Sequence, residues 1–241
     1  MILDIFKDSF EYGAQDIKTL LKLGLFSFFS FLIIPMFLLL GYEYRVIKIA
    51  INGMIDGGDE LPEFNNFTAM FVDGIKYFLV ELAYIIVPII IGLIFVYLGS
   101  TFNNGAVSIV GLIIAFVLLI ISFFYCLVAV PNMIANDGSM KEAFDFKRLT
   151  EIIKTIGVGQ YIGFYIGVII IVALIYLVVS VILAFIFGLF GFATIFVYAP
   201  GLPVIGYILL LIYNLILAFL VAPYISLFTG RAEGLIYGIG E

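Results

Sequence analysis

Long, uninterrupted apolar runs dominate the pattern of hydrophobic and polar positions along the chain. Four of them, at 75–98, 106–130, 161–188 and 204–228, are as long as the roughly 20 residues that an α-helix needs to cross a bilayer. A membrane β-barrel would instead show short segments of alternating hydrophobicity. The pattern therefore predicts membrane helices. A further apolar piece, 191–200, is short and aromatic, which predicts an interfacial or re-entrant connection.

The first apolar region, 17–54, allows two interpretations because Pro35 interrupts it. Proline removes a backbone donor and either kinks or breaks a helix. In one interpretation, 20–42 is a single membrane-spanning helix. In the other, Pro35 marks the turn of a helical hairpin whose charged return arm must face other helices or a wet crevice. The hairpin is favoured because it places every Lys and Arg on one side of the membrane.

Two further segments, 1–16 and 139–156, are predicted to form amphipathic helices that lie in the membrane interface. The second segment has apolar residues at helical spacing, with charges on the opposite face. Ser139 and Glu142 have the spacing of a capping box, which predicts that the helix begins at Ser139.

The same two parts of the chain contain a weak internal similarity. FKDSFEY at 6–12 matches MKEAFDF at 140–146 in chemical character, and IKTL at 17–20 matches IKTI at 153–156. The matches indicate an internal repeat. Chance similarity between short amphipathic helices is the alternative, and the residues alone do not decide between the two.

The composition agrees with a chain that lies mostly in lipid. Hydrophobic residues make up 65% and charged residues 12%, against roughly 45–50% and about 25% in soluble domains. A water-soluble core could not hide this excess. We therefore predict an all-α integral membrane protein, a polytopic bundle of five to six membrane helices plus two interfacial amphipathic helices, forming a single membrane domain over 1–241.

The reactive residue types narrow the function. The chain contains no histidine and a single cysteine, Cys126, so no zinc or other metal site, histidine-based triad or disulfide is expected. A net charge of −6 argues against nucleic acid as a partner. The motifs of phosphate loops, nucleophile elbows and dinucleotide sites are absent from the sequence. We therefore expect a protein that is not an enzyme and that needs no cofactor.

The charged residues also predict an orientation. The Lys and Arg residues lie in the amino terminus, 43–76, 131–160 and at Arg231, while the connections at 99–105 and 189–203 carry no charge. Because basic loops stay in the cytoplasm, the chain is predicted to lie in the cell membrane with its charged loops and carboxyl terminus cytoplasmic. The acidic amino terminus does not resemble a cleavable signal peptide.

Polar side chains within apolar segments are the candidate functional residues, because a charge at the bilayer centre costs at least about 2.5–3.5 kcal/mol. The candidate polar membrane site consists of Glu43, Arg45, Lys48, Glu81 and Asn214. For Glu81 the alternative is a snorkelling or paired carboxylate near the interface. Asn214, in the middle of the last run, is predicted to form a hydrogen bond to another helix.

Three glycines at the start of the apolar run 161–188, Gly159, Gly163 and Gly167, are spaced four residues apart. This spacing lines one helix face with small residues and allows another backbone to approach closely. We expect the face to pack against another helix of the same chain. A contact between two copies of the chain is the alternative.

Short motifs between Pro35 and Pro88 resemble one known family. They are Pro35, Gly41-Tyr42 followed by Arg45, Leu61-Pro62-Glu63-Phe64, Phe71-Val72-Asp73-Gly74-Ile75-Lys76, and Tyr84 with Pro88. On these residues the chain resembles domain-of-unknown-function family 4013, multi-pass membrane proteins found mainly in methanogenic archaea. The resemblance implies a polytopic helical membrane fold and brings no established activity with it.

Two functional hypotheses follow from the sequence. The first is a non-catalytic protein that works by binding, as a scaffold or an accessory membrane subunit. The second is a transporter or permeation unit for small solutes or lipids, which would use the candidate polar residues as a midplane site. The expected partners are the lipid bilayer and either a second copy of the chain or another membrane protein.

Overall fold

The structure is a computed structural model that describes the backbone at 1–195 and 202–241, and side chains at 1–188, 206 and 208–241. Every regular element within these residues is helical. A 3₁₀ turn precedes α6, and a π turn joins α8 to α9. The helices are α1 (Ile2–Gly13), α2 (Ile17–Phe28), α3 (Ile33–Asn52), α4 (Phe67–Thr101), α5 (Gly105–Ala135), α6 (Phe146–Ile156), α7 (Val158–Ile195), α8 (Leu202–Ile216) and α9 (Ala222–Gly240).

Four stretches of the described helices are long and apolar enough to cross a membrane: Phe67–Thr101, Gly105–Ala135, Val158–Gly188 and Ile208–Gly240. The prediction of five to six membrane helices is not confirmed. α2 has 12 residues, which is about 18 Å of helix, well short of the roughly 30 Å of the hydrocarbon core. α3 has 20 residues but carries two basic side chains and one acidic side chain.

The first apolar region forms two helices rather than one continuous helix over 20–42. α2 ends at Phe28 and α3 begins at Ile33. Pro35 stands in the first turn of α3, where its missing N–H costs no helical hydrogen bond. The break therefore lies before Pro35 and not at it. At its other end, α2 is capped by Asp16, whose side chain accepts hydrogen bonds from the backbone N–H groups of Lys18 and Thr19 in the first turn.

The two amphipathic helices bury their apolar faces against the rest of the chain. Ile5 and Tyr12 of α1 are buried, as are Leu149, Ile152 and Ile156 of α6. Both helices contact α9. Their apolar faces are therefore covered by protein, whereas the sequence predicted that these faces enter the lipid interface.

α6 begins later than its predicted segment, 139–156. Its N-cap is Asp145, whose carboxylate accepts a hydrogen bond of 3.1 Å from the backbone N–H of Arg148. The predicted capping box at Ser139 is therefore wrong. The residues between Ser139 and Asp145 contain the 3₁₀ turn at Glu142–Phe144 instead.

The segments that suggested an internal repeat lie in different local structures. Residues 6–12 belong to the middle and end of α1, whereas 140–146 covers the 3₁₀ turn. Residues 17–20 begin α2, whereas 153–156 end α6. The matched segments therefore do not occupy equivalent positions in the fold.

The packed core lies at one end of the bundle. Its buried side chains come from α1, the carboxyl-terminal half of α3, the first half of α4, the second half of α5, α6, the start of α7, and α9. Toward the turn at Phe102–Asn104 that joins α4 to α5, the apolar side chains are largely exposed on both helices. The same holds along α7 beyond Val168. The end of the bundle that carries the charged residues, called the charged end below, is thus tightly packed. The opposite end, at the α4–α5 turn, presents apolar surface.

Glycines allow a close crossing between α3 and α4. A Cβ on Gly41 would overlap the backbone carbonyl of Met70, and a Cβ on Gly74 would overlap the carbonyl of Phe37. Only a residue without a side chain allows the two backbones to approach this closely. The crossing holds α3, with its charged residues, directly against the first half of α4.

α8 and α9 replace the predicted last span at 204–228. α8 ends at Ile216, the π turn covers Leu217–Val221, and α9 continues to Gly240. Pro223, at the start of α9, has no N–H to donate to the carbonyl of Phe219, which favours such a break in the α-helical pattern. Upstream, α7 continues through Ile195, and the rest of the predicted 191–200 connection lies outside the described residues.

Candidate functional site

The charged side chains of α3 lie in different environments. The guanidinium of Arg45 donates hydrogen bonds of 2.9–3.2 Å to three backbone carbonyls of the loop at 63–66. It therefore fixes the loop that leads into α4 and does not enter a polar site within the bundle. Lys48, one turn further along α3, is exposed. The predicted site thus loses both of its basic members.

Glu43 faces the opposite direction, toward α9. Its Oε2 accepts a hydrogen bond of 2.9 Å from the hydroxyl of Ser226. The hydroxyl of Tyr77 on α4 lies within electrostatic range of this carboxylate. Glu43 thus links α3 to α9 within the bundle.

A third helix contributes a carboxylate that the sequence did not single out, Glu233 of α9. Glu233 lies within electrostatic range of both Glu43 and Glu81. The structure therefore brings two of the predicted residues together and adds one more. The three carboxylates can hold a proton or attract a cation, but no group of three His, Cys, Asp or Glu side chains among the described residues could hold a metal ion.

Glu81 lines a cavity of about 330 Å³ between α4 and α5, together with Cys126 and apolar side chains of both helices. It makes no ion pair with Lys76 or with any other described basic residue, so the paired alternative is not observed. Tyr84, one turn further along α4, donates a hydrogen bond of 2.7 Å to the carbonyl of Ala143. Since Ala143 precedes α6, Glu81 lies at the packed, charged end of α4 and not at the middle of its apolar stretch.

A second polar cluster surrounds Arg231, which the sequence placed in a tail. Its side chain is 1% exposed and donates to Asp8 at 2.6 Å and to Asp59 at 2.7 Å. The guanidinium carbon also lies 4.9 Å from the centre of the Tyr12 ring, a cation–π geometry. Burial raises the pKa of Tyr12 above its usual range. The cluster joins α1, the 53–66 connection and α9.

The sequence did not indicate that Arg231 and Glu233 lie on a helix. The segment from Thr229 to Gly240 contains four glycines, at 230, 234, 238 and 240, and glycine lowers helix propensity by about 1 kcal/mol per residue. The segment therefore did not suggest a helix. The structure gives these glycines a role in packing: a Cβ on Gly234 would overlap Ala50 of α3, and one on Gly230 would lie 3.2 Å from Val46.

The three glycines of α7 do not form the expected intrachain seam. Gly159 and Gly163 are exposed, and no described atom lies within 4 Å of the position that a Cβ would take on either. Gly167 alone meets another element, with the ring of Phe6 at 3.0 Å. Within the described residues, the prediction of packing inside the chain is wrong for Gly159 and Gly163, because this part of the α7 face has no neighbour.

Asn214 also differs from its prediction. Its amide donates a hydrogen bond of 2.8 Å to the carbonyl of Leu210, one turn earlier on the same helix. No hydrogen bond from Asn214 to another helix occurs among the residues that the structure describes. The side chain is exposed, so it satisfies its own backbone and does not join the carboxylates.

One comparison with known proteins gives a match. The profile of a family described as "Protein of unknown function (DUF4013)" matches residues 27–184. This region begins within α2 and ends within α7, so it includes the α3–α4 crossing, Glu43 and Glu81. No curated protein and no solved structure matches the chain.

Proposed function

Because the chain belongs to the DUF4013 family, whose description assigns no function, we propose from its own geometry that it is a non-catalytic membrane protein that acts by binding, as a scaffold or accessory subunit. The charged end, with the amino and carboxyl termini, lies in the cytoplasm of the cell in this proposal. The partner is another membrane protein or a second copy of the chain.

The uncovered side of α7 is the observation that carries this proposal. Val181 and Phe185 are 58% and 68% exposed, and Gly159, Gly163 and Gly188 have no described neighbour at their Cβ positions. Small residues at four-residue spacing allow close helix contact in lipid. At the same time, the basic residues Arg45 and Arg231 are engaged in contacts that hold the fold together. The exposed face of α7 is thus apolar and suited to a helix of a partner.

Site-specific photocrosslinking in native membranes tests the proposal. A benzophenone amino acid replaces Val181, which is exposed, or Phe164, which is 0% exposed on the same helix. We expect a discrete protein adduct from position 181 and none from position 164. The mass of the adduct distinguishes a second copy of the chain from another protein. Adducts to lipid alone at position 181 would contradict the proposal.

A second candidate function, a transporter or permeation unit for small solutes or lipids, is supported by the grouping of Glu43, Glu81 and Glu233. Three carboxylates within electrostatic range of one another make the potential between their helices negative, which favours the entry of a proton or a cation. Proteoliposomes with an imposed membrane potential and an internal pH dye test this function. Proton flux above that of protein-free vesicles, lost in Glu81→Gln and kept in Asp73→Asn on the same helix, supports it. Flux equal to that of protein-free vesicles contradicts it.

A further inference from the structure

The cavity between α4 and α5 has a polar end and an apolar end. Glu81 and Cys126 lie at the end nearer to the packed core. Ile85 and Leu119 lie further toward the α4–α5 turn, because the two helices run in opposite directions. Phe123 supplies an aromatic wall between these levels. The cavity, of a few hundred Å³, is in the size range of sites that bury small organic ligands.

The carboxylate of Glu81 has no partner within the described part of the chain. No hydrogen bond or ion pair reaches it there, and its side chain is half-buried in the wall of the cavity. The neighbouring hydroxyl of Tyr84 already donates to Ala143. A carboxylate in these surroundings is costly unless a positive charge or a donor lies beside it. The ligand that fits therefore brings a cationic donor to Glu81.

The surrounding charges favour the same kind of ligand. Glu43 and Glu233 lie within electrostatic range of Glu81 and add to the negative potential there. The basic residues of α3 are engaged or exposed: Arg45 binds the 63–66 loop, and Lys48 faces solvent. Lys76 lies five residues before Glu81 on α4, but its ammonium group lies beside Gly138 and makes no ion pair with Glu81. An anion would therefore be repelled from this end of the cavity.

We propose that this cavity binds an amphiphilic aliphatic amine, with the ammonium group on the Glu81 carboxylate and the alkyl chain along Ile85, Phe123 and Leu119. A charge-assisted hydrogen bond anchors the head group, and the alkyl chain gains van der Waals contacts with the apolar side chains of the cavity. The ammonium can belong to a free amine or to the head group of an aminophospholipid.

Binding of labelled octylamine to the full-length protein in phosphatidylcholine nanodiscs tests this proposal, with empty nanodiscs as the blank. We expect saturable binding that Glu81→Gln weakens about tenfold or more, the loss expected for a hydrogen bond to a charged group. Asp73→Asn, on the same helix, removes a carboxylate that does not line the cavity and leaves binding unchanged. Leu119→Trp fills the apolar end and abolishes binding while Glu81 remains in place.

Octanol and octanoate provide the matched ligands, since they share the chain length and differ in head-group charge. We expect neither to compete with octylamine. Competition by octanol as strong as that by unlabelled octylamine, or equal binding to the wild type and Glu81→Gln, overturns the proposal. Nanodiscs that contain phosphatidylethanolamine separate the two sources: competition assigns the site to a lipid head group, and unchanged binding assigns it to a free amine. The result is independent of the crosslinking at position 181.

Discussion

Arg231 and Asp8 form a buried ion pair between the last helix and the first, with the guanidinium Nε 2.6 Å from the carboxylate Oδ1. The two residues are 223 positions apart. Asp8 also accepts a hydrogen bond of 2.7 Å from the backbone N–H of Asp56. This carboxylate therefore serves two connections at once, and α1 is held to the bundle through it.

Loss of the guanidinium should destabilise the fold strongly. Arg231→Met keeps most of the side-chain volume but leaves the buried carboxylate of Asp8 uncompensated, which costs about 3–5 kcal/mol. Denaturant unfolding in mixed micelles measures the effect. Arg148→Met is the matched control, because Arg148 is 40% exposed and lies 4.0 Å from Glu241; an exposed pair of this kind contributes about 0–1 kcal/mol. Equal losses in both variants would contradict the structural role of Arg231.

The glycines at the α3–α4 crossing and on the open face of α7 should respond in opposite directions. Gly41→Ala forces a Cβ against the carbonyl of Met70, and such overpacking costs about 1–3 kcal/mol. Gly163→Ala meets no described neighbour and gains helix propensity of up to about 1 kcal/mol. The unfolding free energies of the two variants in detergent check this contrast. If Gly163→Ala lowered the free energy of unfolding in detergent as much as Gly41→Ala does, the face of α7 would be covered by another part of the same chain.

The buried amide of Asn132 connects three elements and should be sensitive to truncation. It is 0% exposed, donates to the carbonyl of Glu142 at 2.8 Å and accepts from the hydroxyl of Tyr237 at 2.8 Å. Asn132→Ala removes the hydrogen-bond partner of the Glu142 carbonyl and of the Tyr237 hydroxyl. For each of these groups that stays unsatisfied, we expect the free energy of unfolding to fall by about 1–3 kcal/mol. Asn214→Ala is the control and should stay within about 0.5 kcal/mol of the wild type. A double-mutant cycle with Tyr237→Phe measures the coupling, and additive losses would contradict a direct hydrogen bond.

Cysteine labelling tests which side of the membrane the charged end occupies. Lys7→Cys and Asn103→Cys are made in a Cys126→Ala background; both positions are exposed and lie at opposite ends of the fold. In intact cells, a membrane-impermeant maleimide should label position 103, and position 7 should react only after permeabilisation. Labelling of both positions from outside would place the amino terminus outside and match a single crossing by the first apolar region.

The helices of this fold could be predicted from the sequence more completely than their contacts. The continuous apolar runs at 75–98 and 106–130 lie within α4 and α5, because hydropathy and length alone distinguish such segments. Glu43 and Glu81 were assigned to one polar site, and the two carboxylates lie within electrostatic range of each other. Arg45 was assigned to the same site, but its hydrogen-bond partners are loop carbonyls that leave no trace in a pattern of residue types.

The partners of Arg231 could not be inferred from the sequence for a physical reason. Its ion pair joins segments at opposite ends of the chain, whose proximity no local pattern indicates. The helix that carries Arg231 is also rich in glycine, so its sequence does not predict a helix. Spacing also predicts only that Gly159 and Gly163 share a face, and says nothing about what covers that face. Whether these glycines pack within the chain depends on which helices surround α7, and residue spacing does not contain that information.

The π turn at Leu217–Val221 has a consequence for how the last helix could vary. A π turn holds one more residue than an α-helical turn, and each residue of an α-helix advances by about 100° around the axis. Deleting one residue from this turn would therefore convert it into ordinary α-helix and rotate α9 by about 100° relative to α8. Arg231, Glu233 and Tyr237 would all lose their present contacts at the same time. Chain length in these five residues is thus constrained by side chains that lie about three to four turns away from them.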